Sequence, residues 1–298
     1  SAVVGIEGDE FDRSFHWLTP YATVITSTEA DHLDIYGTEE AYLESFSHYT
    51  SLIQPGGFLV MRHGINLQPR LQEGVKLYTY STEAGDFHAE NIRIGGGEIF
   101  FDFVSPLGNI LDIQLGVPVA INIENGIAAM ALAQLSGVTN DEIKAGMASF
   151  QGIERRFDFK IKTDKVVYLS DYAHHPEEIK QSILSVRALY QDKKLTAVFQ
   201  PHLYTRTRDF YQEFADSLSL LDEVILTDIY PARELPIEGV SSQLIYDHLS
   251  PNVEKTLCKK EEVLELLKNK NIEVLITLGA GDIENYASQI CEILNQQC

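Results

Sequence analysis

The chain has 298 residues, 44% hydrophobic and 22% charged, which is enough to bury sizeable cores without disulfide staples and suggests two domains. Its 44 acidic side chains outnumber 23 basic ones, for a formal net charge of −21. That excludes an extended nucleic-acid surface, which needs a basic stripe, but not a small anion held by a few arginines. No run reaches the roughly 18–20 apolar residues of a membrane span, and no charged-then-apolar leader is visible, so a soluble, cytoplasmic protein with no membrane partner is expected. Cys258, Cys291 and Cys298 lack metal-ligand spacing and read as free thiols of a reducing compartment.

Up to about residue 115, short strand patterns dominate: "AVVGI", "ATVIT", "GFLVM", "KLYTY", "IFFDFV" and "NILDIQL", with "IGGGEI" as a hairpin turn. Helical patterns intervene at "TEEAYLESFSHYTSLI" and "NIENGIAAMALAQLSGV", and Thr139 with Glu142 forms a capping box ahead of "DEIKAGMASF". From about residue 157 strands and helices alternate. The strands are "VVYLS", "LTAVFQ", "EVILTD", "VEKTL" and "EVLITLG"; the helices fall near 176–190, 207–220, 240–248, 260–269 and 282–295. Ile179, Ile183, Val186 and Tyr190 recur at helical spacing and predict one sheet-facing stripe. Such alternation predicts a mostly parallel sheet covered by helices, with ligands at the carboxyl ends of its strands. Those ends, "LSDYAHHP", "VFQPHLYTRTRD", "LTDIYPARE" and "LITLGAGD", all carry polar residues or glycine.

Five stretches could carry chemistry. "IEGDEFD" (6–12) follows the first strand pattern with Glu7 at its close; it is either a solvated acidic loop or a source of carboxylates for a hard cation such as Mg²⁺. "STEADHLDIYG" (27–37) adds Glu29, Asp31, His32 and Asp34, without zinc spacing. "ERRFD" (154–158) offers Arg155 and Arg156 either to surface ion pairs or to a phosphate. In "QPHLYTRTRD" (200–209), His202, Arg206 and Arg208 crowd a strand end, and an extended turn would point both arginines to one side. In "DYAHHPEEI" (171–179), Pro176 and the two glutamates suit a helix start. The adjacent His174 and His175 diverge, so a shared metal is not expected there. Asp171 could accept a hydrogen bond from a sugar hydroxyl.

These motifs, in this order, resemble the Mur ligase family of ATP-dependent amide-forming enzymes; the match rests on "EGDEFDRSF", "TEADHLDIYG", "GIERRFDF", "DYAHHPEEI", "QPHLYTRTRDF", "LTDIYPARELPIEG" and "LGAGDI". The resemblance implies an α/β chain: the C-terminal part of a central ATPase domain (mixed sheet with helices) over 1–152, then a Rossmann-like, mostly parallel C-terminal domain over 153–298. It implies ATP and Mg²⁺ as cofactors, and UDP-N-acetylmuramate and L-alanine as substrates, joined through an acyl phosphate during peptidoglycan precursor synthesis. By resemblance Glu7 and His32 are metal ligands. Asn122 contacts adenine, Arg156 the ATP phosphates, and Asp171 lies near the ribose. His174, His202 and Arg206 are catalytic and, with Tyr172 and Arg208, bind substrate.

Two departures stand out. The family's "GRHNxxN" is "GVPVAIN" here, so only Asn122 remains, and Leu203 replaces the first arginine of "PHRYxRTR". The Gly-rich phosphate loop with its Lys-Thr pair is not in these 298 residues, so the chain alone is expected to be inactive. Two alternatives stay open: a ligase that recycles murein by adding a tripeptide to the same sugar, and a non-catalytic nucleotide-binding module of the same fold.

Overall fold

A computed structural model describes residues 4–29 and 33–296. Contacts divide the chain into two compact units: Ser1–Arg93, Phe100–Leu115 and Ala120–Ser149 form one, and Ile94–Ile99, Gly116–Val119 and Phe150–Cys298 the other.

The first unit contains β1 (Ala22–Ile25), α1 (Leu33–Tyr36), α2 (Glu39–Thr50), β2 (Phe58–Arg62), β3 (Lys76–Tyr80), most of β4 (His88–Gly95) and β5 (Glu98–Val104), β6 (Ile110–Gln114), α3 (Ile121–Leu135) and α4 (Asn140–Ser149). Strands β1-β2-β3 form a parallel sheet, and β4-β5-β6 form a separate sheet in which β5 and β6 run antiparallel. Thr38 caps α2, its hydroxyl accepting from Ala41 N–H at 3.2 Å. The Thr139–Glu142 box forms as expected ahead of α4, with Thr139 N–H donating to Glu142 at 3.0 Å. α3 buries Ile123, Ile127, Met130 and Ala131 and packs on β1, β2 and β3. Beside it Phe15, Ile25, Tyr42, Ile53 and Leu59 form an aromatic-rich core.

One expectation fails here. Among the described residues of "AVVGI" there is no strand, so Glu7 does not close one. Val4 and Ile6 are 77% and 66% exposed, and no described strand lies alongside to complete a ladder. Alternating apolar residues make a strand only where a neighbour accepts their backbone groups.

The second unit contains β7 (Asp158–Lys162), β8 (Val167–Asp171), α5 (Pro176–Leu189), β9 (Leu195–Phe199), α6 (Tyr204–Leu218), β10 (Glu223–Leu226), α7 (Gln243–His248), β11 (Glu254–Leu257), α8 (Val263–Lys268), β12 (Val274–Leu278) and α9 (Ala287–Asn295). They build one six-stranded sheet in the order β11-β10-β9-β12-β8-β7. All pairings are parallel except β7 with β8. Strands β8, β9, β10 and β12 are buried along nearly their whole length, because helices cover both faces. The α5 stripe behaves as its spacing predicts: Ile179, Ile183 and Val186 are fully buried and Tyr190 nearly so. Each of the three aliphatic side chains contributes roughly 1.5–3 kcal/mol of burial free energy. On the other face α8 and α9 supply Val263, Leu267, Ile290 and Leu294.

The register matters most for function. Leu278 of β12 sits opposite both Asp171 of β8 and Phe199 of β9, and Phe199 sits opposite Leu226 of β10. Four strands therefore end in one row, and their polar loops emerge together along one edge.

Candidate active site

The loop after β8 is held from within. Glu178, in the first turn of α5, accepts from the backbone N–H of His174 (3.0 Å) and of His175 (3.1 Å). Burial pushes its pKa up, but these two donors outweigh that and leave it below the usual glutamate value. His174 Nδ1 lies 2.9 Å from the Tyr172 carbonyl, which fixes the ring and places Nδ1–H as donor. The His175 ring turns away and packs on Phe210, centroids 5.1 Å apart. Asp171 is committed locally: Ser182 Oγ donates to Oδ2, and Ala173 N–H donates to Oδ1 at 3.2 Å. Burial pushes its pKa above the ordinary aspartate value despite these donors. A ribose hydroxyl would have to share a carboxylate already engaged on both oxygens.

The loop after β9 carries the sharpest local geometry. Leu203 has φ 72 and ψ 136, a left-handed φ that side chains rarely adopt and that costs on the order of 1–3 kcal/mol. It is pinned on both sides: its N–H donates to the Tyr230 carbonyl at 3.0 Å, and its carbonyl accepts from Thr207 N–H at 3.1 Å. The sharp turn lets α6 begin at once. Arg206 then comes back to His202, with Nη1 3.4 Å from Nδ1. His202 stacks on Tyr230, centroids 5.7 Å apart, and meets the His174 ring edge-on at 5.9 Å. Tyr172 meets His174 at 5.2 Å. Burial, then the charges of Arg206 and His174, hold His202 below the ordinary imidazole pKa.

Tyr172, His174, His202 and Arg206, expected together, are thus gathered at the carboxyl ends of β8 and β9, the two strands that flank β12. Arg208 is not. It belongs to helix α6 rather than to an extended turn, so residues 206 and 208 point about 200° apart. Its guanidinium pairs in solvent with Asp209 at 2.7 Å.

The two arginines of "ERRFD" separate clearly. Arg155, at φ 65, lays its guanidinium over the Tyr172 ring at 4.5 Å and reaches the Gly281 carbonyl at 3.5 Å. Arg156 is exposed, and its guanidinium has no partner among the described residues. Its guanidinium is free among the described residues to meet an anion, whereas that of Arg155 is partly engaged by Tyr172 and Gly281.

Sequence reasoning missed several supporting residues. Gln200, 3% exposed, donates to Asp282 at 2.8 Å and accepts from Ile283 N–H at 2.9 Å, so it joins the ends of β9 and β12. Gly279 and Gly281 permit that join. A Cβ on either would lie 2.5 Å and 2.2 Å respectively from an oxygen of Gln200. Glu234 binds Thr205 at the start of α6. Such partners lie tens of residues apart, and no local spacing signals them.

In the first unit Asp9 and Asp12 serve as turn formers, accepting from Phe11 N–H (3.0 Å) and Ser14 N–H (2.9 Å). Glu7 is exposed and its carboxylate has no partner among the described residues. His32 lies outside the described residues. Among those described, no three His, Cys, Asp or Glu side chains converge as a metal site. Asn122 is the second residue of α3, half-buried, and accepts from Asn125 at 3.4 Å. Nearby in the same unit Arg62, ending β2, pairs with Glu124 at 3.0 Å. Tyr80, ending β3, is buried and pushed up to about 12, by burial first and then by the Glu124 charge.

Residues 5–133 match the Mur ligase middle domain, and residues 155–288 match the Mur ligase glutamate ligase domain. A UDP-N-acetylmuramate–L-alanine ligase of Phocaeicola vulgatus is 78% identical over 98% of this chain, which spans 64% of that relative's length. A solved UDP-N-acetylmuramate–alanine ligase from Thermotoga maritima superposes with a TM-score of 0.78 at 24% identity, over 98% of this chain and 63% of its own. A MurF ligase of the same organism, solved in complex with ADP, gives 0.68 at 17% identity, over 96% of this chain and 65% of its own. At those identities the two structures speak for the fold alone. No described helix is long and apolar enough to cross a membrane. The chain belongs to the Mur ligase family and carries its middle domain and its C-terminal domain.

Proposed function

We propose that the full-length protein joins L-alanine to UDP-N-acetylmuramate at the expense of ATP, in the cytoplasm, during peptidoglycan precursor synthesis. The observation that carries this reading is the 78% identity, sustained over 98% of the chain, to a protein named for that reaction.

A carboxylate is a poor electrophile for an amine. Phosphorylation of the muramoyl carboxylate gives an acyl phosphate; the L-alanine amine attacks its carbonyl carbon, and phosphate leaves from a tetrahedral intermediate. Negative charge develops on oxygen at each step, so donors and cations aimed there lower the barrier. Arg156, exposed and unpaired among the described residues, is the guanidinium we assign to the ATP phosphates. Arg206 keeps donors beyond the one facing His202, and we assign it to a carboxylate of the substrates. Tyr172, His174 and His202 form the aromatic wall that orients the amino acid, while Asn122 serves the adenine. Bound Mg²⁺ would shield phosphate charge; the free Glu7 carboxylate suits such a hard cation, and His32 is its assigned companion.

The test is ADP release by the full-length protein with UDP-N-acetylmuramate and either free L-alanine or a tripeptide. L-alanine should support turnover. Turnover with tripeptide alone would move the assignment to the murein-recycling ligases.

A further inference from the structure

The turn that gathers His202 and Arg206 is strained at Leu203, and something beyond its own backbone must hold it. The loop after β10 does so at three points. Tyr230 accepts from Leu203 N–H at 3.0 Å and donates its own N–H to Pro201 at 2.8 Å. Glu234 then reaches back from a tight turn, closed by its N–H donating to Pro231 at 2.9 Å with Ala232 at φ 49. Its two carboxylate oxygens accept from one residue, the N–H (3.0 Å) and the hydroxyl of Thr205. Thr205 is the second residue of α6 and immediately precedes Arg206.

We infer that Glu234 is a positioning residue: it fixes the first turn of α6 so that Arg206 and His202 present one preset geometry to the incoming amino acid. The role of that geometry rests on the ligase reading above. A carboxylate suits this place because the first turn exposes unpaired N–H groups and the positive end of the helix dipole. Bidentate capture of Thr205 also removes rotation that a single bond would leave. Alternative explanations fit less well. A solvent ion pair would leave Thr205 unbound, and a general stabilising contact would not select the residue adjoining Arg206.

The experiment uses the full-length protein with Glu234→Ala, Glu234→Gln and Thr205→Val. The KM for L-alanine should rise on the order of tenfold or more in Glu234→Ala and Thr205→Val. The KM for ATP should stay within about twofold and thermal stability should barely move, since the contact is peripheral to the core. A second readout does not depend on turnover. Among the described residues, the groups facing His202 are Arg206 on α6, His174 after β8, and Tyr230 and Glu234 after β10, and of these only Glu234 favours the imidazolium. The His202 ring signal, followed by NMR, should therefore titrate at lower pH in Glu234→Gln. An unchanged L-alanine KM, an unchanged His202 midpoint, or a uniform rise in every KM with a lowered melting temperature would overturn the inference. If the wild-type protein ligates no L-alanine, the ligase reading falls, and hydrogen exchange at the Thr205 N–H in Glu234→Ala, faster if Glu234 holds this turn and unchanged if it does not, still decides whether Glu234 sets it.

Discussion

Nη1 of Arg206 faces Nδ1 of His202 across 3.4 Å. Arginine does not give up its proton, so Nδ1 must be the acceptor and Nε2 carries the ring hydrogen. The fold thus favours the neutral ring, as does burial, the larger cause. The linkage sign follows. A histidine depressed below 6.5 adds stability that is complete above that pH and is lost as pH falls through the folded value. His16, lowered first by burial, acts in the same direction in the other unit. Melting temperature should therefore drop between about pH 7 and pH 5, and His202→Asn should shallow the slope. A melting temperature that rises over that window would refute the assignment.

Arg155 and Arg156 should respond differently to alanine. Arg155→Ala removes a guanidinium stacked on Tyr172 and should cost about 0.5–2 kcal/mol of stability, measurable by urea titration. Arg156→Ala should leave stability within about 0.5 kcal/mol. In the full-length enzyme it should lower kcat/KM for ATP by on the order of a hundredfold or more. Equal effects of the two on stability would contradict the separation seen at "ERRFD".

The glycines after β12 give a third prediction. Gly279 has φ 135, and an added Cβ would sit 2.5 Å from the Gln200 carbonyl oxygen, a backbone atom. Gly279→Ala should destabilise by about 2–4 kcal/mol, combining backbone strain with overpacking. At Gly281 the clash is with the Gln200 side-chain oxygen at 2.2 Å, which can move only by releasing Ile283 N–H. Gly281→Ala should cost about 1–3 kcal/mol, and part of that should vanish in a Gln200→Ala background, the rest being set by Tyr230 Cβ, 2.9 Å from the same position. Full additivity of the two substitutions would refute the coupling.

At the opposite edge of the same sheet, Glu223 is 1% exposed and is bound by Lys194 (2.8 Å) and Lys270. Replacing both lysines with methionine strands a buried carboxylate and should cost about 3–5 kcal/mol. Adding Glu223→Met to that variant should recover much of the loss. Chemical denaturation of the wild type and the two variants checks this; no recovery would mean that the lysines act mainly by packing.

The doubly wound half was legible because its strands are short apolar runs spaced by helical stripes, and burial on both faces enforces that pattern. Its polar strand ends were legible for the same reason, since nothing else stands where those runs stop. The Leu203 turn was not, because a positive φ at leucine leaves no trace in spacing. Arg208 illustrates the cost: the arginine spacing was read on an extended turn, whereas α6 begins at Tyr204 rather than near residue 207. β7 also escaped. "DFKIK" buries only Ile161 fully, so it lacks the apolar run that marked its neighbours. The opening "AVVGI" failed for the converse reason: the residues favour a strand, and the described chain gives it no partner.

The direction of β7 has a larger effect than its size suggests. It runs against β8, with Asp158 opposite Ser170 and Lys162 opposite Val167. The chain therefore enters the sheet at the edge where β8 leaves it, and "ERR" arrives beside "DYAHH" at the moment of entry. Laid parallel instead, a strand of this length would deliver Arg155 and Arg156 about 16 Å away, at the amino edge. One reversed strand of five residues thus decides that both arginines stand on the chemical side of the sheet.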